Sequence, residues 1–108
     1  MSDLTEKTAL ELVRAVATDA TTVEAIASAY LDRIATREAD VRAWAYLDPD
    51  KVLLEARALD QGPRRGLLHG APFAAKDIID TVDMPTGHGS PIYEGRQPDR
   101  DATCIALC

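Results

Sequence analysis

The chain has 108 residues, 46% hydrophobic and 5% aromatic, with 12 basic against 18 acidic side chains and a net charge of -6. A single-domain length permits a modest core, while the acidic balance excludes the clustered positive face that nucleic acids and anionic membranes require. No apolar run is long enough to span a bilayer, and the polar start from Met1 to Lys7 lacks the basic-then-apolar order of a secretory signal, so a cytoplasmic location is expected.

Leu4 to Ala17 reads as a first helix, with Leu10, Val13 and Val16 on one face at spacings of three. The small and polar residues from Thr18 to Thr22 break it. Thr21 stands three before Glu24, the sequence form of a capping box, and opens a second helix. Its apolar stripe is Val23, Ile26, Ala27, Tyr30, Leu31 and Ile34, and Asp32, Arg33, Arg37 and Glu38 fall outside it as a solvated face.

After Ala39-Asp40, the run from Val41 to Leu47 alternates small residues with Arg42, Trp44 and Tyr46, which is strand-like, and its aromatics read as packing. Asp48-Pro49 then combines an N-cap with proline at the first helical position, and Gly62-Pro63 stops the resulting third helix after Gln61. Val52, Leu53, Ala56 and Leu59 form its apolar face. Arg64-Arg65 follow in a linker, read as a solvated loop in preference to a carboxylate-steering pair.

From Gly66 the punctuation becomes dense. Residues 72 to 77 read as a buried strand feeding a loop-built site, with glycine and proline on both sides. Alternation sends Phe73, Ala75 and Asp77 one way and Ala74 and Lys76 the other, so Asp77 is poorly placed to neutralise Lys76. A lysine stripped of water without a counter-ion favours its uncharged amine and can serve as a base. The plain alternative is a snorkelling or paired lysine whose stem is buried and whose head reaches water.

Three other patterns in this region suggest chemistry and do not carry it. Asp77, Asp80 and Asp83 are three apart, which is not the every-second-residue ligand spacing of a calcium loop, and they read as turn and strand-end residues. Gly87-His88-Gly89-Ser90 looks like a serine nucleophile turn, but Pro91 follows where a glycine and a helix are needed. His69 and His88 match no metal-finger spacing, and His69 reads as a loop residue bonded to backbone.

A last helix is expected from Asp99 or Asp101 as N-cap to Cys108, ending without a stop signal. Cys104 and Cys108 are four apart, hence on one helix face, and read as reduced, core-packed thiols.

The string Leu68-His69-Gly70-Ala71-Pro72-Phe73-Ala74-Ala75-Lys76-Asp77, then Pro85-Thr86, Gly89-Ser90-Pro91-Ile92-Tyr93 and Asp99 to Ala102, resembles the amidase signature family in order and spacing. The likeness is dense from residue 67 to 103 and looser over the helices before it. His88 and Asp83 depart from the residues common in that family, so its loop geometry does not transfer directly.

The resemblance implies an α/β fold, with N-terminal helices followed by the first strands of a mixed sheet covered by helices on both faces. Residues 1–108 would form the N-terminal part of one such amidase domain, cut before the nucleophile region and leaving apolar surface uncovered. It implies a serine-serine-lysine triad hydrolysing a small-molecule carboxamide to carboxylate and ammonia, with no cofactor and no metal. Only the lysine maps, onto Lys76, and no glycine- and serine-rich stretch follows, so the chain alone is expected to be inactive. The same lysine fits the amidase-like component of an aminoacyl-tRNA amidotransferase, which would need partner subunits. A short non-enzymatic binding protein is the third reading, and the intact protein has room to be a homo-oligomer.

Overall fold

The computed structural model describes residues 3–108. The chain divides into two units, one ending at Pro72 and one spanning Phe73–Cys108.

In the first unit the expected opening helix is two pieces. A 3-10 turn at Leu4–Glu6, capped by Asp3, precedes α1 at Ala9–Ala17. Thr8 starts α1 with a full capping box. Its hydroxyl accepts the Glu11 N–H at 3.3 Å, and the Glu11 carboxylate accepts the Thr8 N–H at 2.7 Å. That bond holds the Glu11 carboxyl below the usual range. The helix buries Leu12, Val13 and Val16, while Leu10 is 55% exposed. Leu10 lies two residues from Leu12, about 200° around the axis, so both cannot face the core.

The second helix, α2 at Val23–Val41, is capped by Thr22 and not by Thr21. The Thr22 hydroxyl accepts the Ala25 N–H at 3.0 Å. α3 at Pro49–Gln61 forms where the local signals place it. Asp48 accepts the Lys51 N–H at 3.2 Å, and the Gly62 N–H returns to the Ala58 carbonyl at 3.1 Å. α2 packs on α3 and on the Leu4–Glu6 turn.

The core is Leu12, Val16, Val23, Ile26, Ala27 and Ala56, with Leu4, Tyr30, Val52 and Leu53 packed around it. Leu12 and Ile26 are each 1% exposed, and burying such a side chain stabilises by about 1.5–3 kcal/mol. Leu59, expected on the same face, is 41% exposed. Arg64 ties the chain after α3 back to the end of α1, donating to the Ala17 carbonyl and to Asp19 at 2.6 Å each.

The expected α/β fold is not found: among the described residues there is no strand. At residues 41–47 the reason is visible. α2 runs on through Val41, and Arg42 then turns left-handed at φ 51° as its C-cap. The Glu38 carboxylate takes the Ala43 and Trp44 N–H groups at 2.6 and 3.0 Å, the donors a ladder would use. Residues 72–77 are irregular too. A strand is defined by its neighbour, and neither segment meets a partner strand among the described residues.

The second unit contains a 3-10 turn at Pro91–Tyr93 and the single-turn α4 at Thr103–Ala106. The expected acidic cap of the last helix is also corrected. Ala102 occupies the N-cap with no side-chain bond, and Asp101 accepts the Val82 N–H at 2.8 Å instead. Cys104 and Cys108 are exposed free thiols and not core residues, because so short a helix presents no face to a core. Large apolar side chains stand in solvent, including Phe73, Ile78, Ile92 and Leu107 at 64, 55, 85 and 83%. The expectation of uncovered apolar surface is met.

Candidate functional site

Lys76 lies in the second unit at the end of the irregular stretch 71–76. Its carbonyl accepts the Ile79 N–H at 2.9 Å, closing a turn directly after it. Ala74 and Lys76 are exposed while Ala75 and Asp77 are partly buried, so exposure alternates along 74–77 without any ladder.

The residue after the lysine is held twice. Asp77 Oδ1 accepts the Gly87 N–H at 2.8 Å, and the Asp77 carbonyl accepts the His88 N–H at 2.9 Å. Glycine eases this approach. A Cβ at Gly87 would lie 3.1 Å from Asp77 Oδ2, closer than most contacts allow. His88 then turns left-handed at φ 53° and Gly89 at φ 66°. The Ser90 hydroxyl accepts the Ile92 N–H at 3.3 Å, so Ser90 serves as a turn cap and not as a nucleophile.

The segment that receives Asp77 is itself anchored. The Thr86 N–H donates to the Arg96 carbonyl at 2.9 Å, and Thr86 is 1% exposed. The Arg96 guanidinium grips Asp80 with two bonds of 2.7 and 3.1 Å. Those bonds hold the Asp80 carboxyl below the usual carboxylate range against a smaller opposing effect of desolvation. Gln97 adds a third tie, donating to the Val82 and Met84 carbonyls at 2.8 and 3.2 Å.

The Asp77 carboxylate therefore binds a backbone N–H and the Asp80 carboxylate a guanidinium. Among the described residues no group of three His, Cys, Asp or Glu side chains could hold a metal ion. His69 belongs to the first unit, where its Nδ1 accepts the Arg65 N–H at 3.2 Å, the backbone role read from sequence. Arg96 and Gly87 are not legible from sequence as partners of the aspartates. Their only sequence signal is the punctuation around Gly87 and Gly95. A groove of about 260 Å³ in the helical unit, lined by Tyr30, Ile34, Val41 and Trp44 with Arg33 and Arg37, does not include Lys76.

The family model described as Amidase matches residues 25–108, from the first turns of α2 through Lys76 to the last residue. This chain belongs to the amidase family.

Among its relatives, this amidase family member is 44% identical over 97% of its length to a glutamyl-tRNA(Gln) amidotransferase subunit of Acidothermus cellulolyticus. It is 41% identical over 95% to the subunit of the same name from Thermobifida fusca. Over 70% of the chain it is 38% identical to the putative amidase AmiD of Mycobacterium bovis. The chain spans about a fifth of the length of these relatives, 22, 22 and 17%. No solved structure matches it. No helix among the described residues is long and apolar enough to cross a membrane.

Proposed function

We propose that this chain is the N-terminal part of a serine-serine-lysine amidase that hydrolyses a carboxamide to carboxylate and ammonia, with Lys76 as the base behind the serines. The observation that carries the reading is the family match running unbroken through the Lys76 segment. In such a reaction a serine oxygen adds to the carboxamide carbonyl. Its proton passes through the second serine to Lys76 Nζ and is returned along the relay to the departing nitrogen, so that ammonia leaves and an acyl-serine remains; water then cleaves that ester to the carboxylate and restores the serine hydroxyl. The base role needs an uncharged amine, which loss of hydration favours. In these 108 residues Lys76 is exposed, and neither serine of the relay maps onto Ser2, Ser28 or Ser90. The 108-residue chain alone is expected to be inactive.

The relatives named as amidotransferase subunits match over 95–97% of the chain, against 70% for the putative amidase. That difference favours a second reading, in which the intact protein works inside an amidotransferase complex and passes its ammonia on within it.

The test grafts residues 1–108 in place of the matching segment of the Acidothermus cellulolyticus relative, a 44% identical stretch. Ammonia release from a panel of carboxamides is then measured. The graft is expected to be active and Lys76→Ala to lower kcat by about 10²–10⁴-fold, the span of general acid-base catalysis. A Lys76→Ala graft that retains near-normal turnover removes the assignment. Activity that emerges only with the partner subunits present favours the second reading.

A further inference from the structure

We propose that Asp77 is a positioning residue for Lys76: through the Gly87 N–H it clamps the lysine segment onto residues 86–88 and so fixes where the amine stands. The inference rests on Lys76 being the base. Three bonds meet at this point. The turn closed by Ile79 fixes the lysine carbonyl at 2.9 Å, the Asp77 carboxylate holds Gly87 at 2.8 Å, and the Asp77 carbonyl holds His88 at 2.9 Å. Two of the three belong to the residue directly following the lysine. The 86–88 segment is a firm support because Thr86 is buried and bonded to Arg96, which in turn holds Asp80.

What the clamp needs from Asp77 is an acceptor and not a charge. The bond goes to a backbone N–H, and an asparagine Oδ1 can receive it equally. If the carboxylate instead acted on the lysine as a counter-ion, removing its charge would be as harmful as removing the side chain. Gly87 offers an independent handle, because an added Cβ would press on Asp77 Oδ2 at 3.1 Å while both the Lys76 and the Asp77 side chains stay chemically unchanged.

Two measurements test this. In the 108-residue chain, hydrogen exchange at the Gly87 and His88 amides is expected to quicken in Asp77→Ala and to stay near the unsubstituted rate in Asp77→Asn. Unchanged exchange in Asp77→Ala overturns the clamp. In the active graft, Asp77→Ala and Gly87→Ala are expected to lower kcat by about 10- to 100-fold, as misplacement of a reacting group does, and Asp77→Asn to recover most of it. The unfolding midpoint of each variant, measured beside kcat and KM, separates positioning from simple loss of folded enzyme: a displaced amine lowers kcat while KM and the midpoint hold. Equal losses in Asp77→Asn and Asp77→Ala, or a kcat loss that tracks a lowered midpoint, overturn the proposal. A silent Lys76→Ala fails the base assignment instead, so the two failures are distinguishable.

Discussion

The Asp60 carboxylate sits on the open end of α2, accepting the Val23 N–H at 2.8 Å and the Glu24 N–H at 2.9 Å. A side chain from the last turn of α3 thus satisfies two of the donors that a helix start leaves without partners, and the negative charge lies at the positive end of the helix dipole. The contact joins residues 37 and 36 positions apart, and it locks the α2–α3 pair at the end opposite the loop that connects them.

Asp60→Ala is expected to cost about 1 kcal/mol, the usual loss for a helix cap. Asp60→Asn, which keeps one acceptor, should cost less. Urea unfolding followed by far-UV circular dichroism reads the difference. Equal midpoints for Asp60→Ala and the unsubstituted chain would show that the cap contributes nothing.

Gly70→Ala should destabilise the helical unit more than an ordinary glycine substitution. Gly70 is buried with φ +91°, and a Cβ there would meet Val23 Cγ2 at 3.0 Å and Val16 Cγ2 at 3.3 Å. The left-handed conformation alone costs a non-glycine residue about 1–2 kcal/mol, and crowding of two core valines adds to it. Gly66→Ala is the control, since Gly66 has φ +71° and nothing within 4 Å of its Cβ position. Gly70→Ala is expected to lower the thermal midpoint further than Gly66→Ala, and the reverse order would count against this packing.

The Asp80–Arg96 pair gives an acid-dependent contribution. Its hydrogen bonds from Arg96 lower the folded carboxyl below the value of 3.8 for a free group. A depressed carboxylate stabilises the folded state fully above its unfolded value, and the contribution fades as pH falls through the folded one. The stability gap between the unsubstituted chain and Asp80→Asn should therefore be constant above about pH 5 and close below 3.8. Unfolding midpoints measured across that range check it, and a gap that persists undiminished to low pH contradicts the linkage.

α3 is readable almost to the residue because everything that makes it is local: Asp48 and Pro49 at its start, Gly62 and Pro63 at its stop. The α2 stripe is readable for the same reason, as Val23, Ile26 and Ala27 are its buried residues. At the start of α1 a longer pattern masks a shorter one. Thr8 and Glu11 are themselves a capping-box pair, hidden within the Leu4 to Ala17 reading.

Local pattern sufficed for α3, for the apolar stripe of α2 and for the family, since periodicity, caps and punctuation lie within a few positions of one another. It took the folded chain to show that Asp60 caps α2, that Arg96 holds Asp80, that Asp77 reaches Gly87, and that residues 41–47 and 72–77 form no strand. The physical reason is shared: each depends on which distant donor or acceptor comes within about 3 Å. Alternating side chains can ask for a sheet, but only another strand can supply its hydrogen bonds.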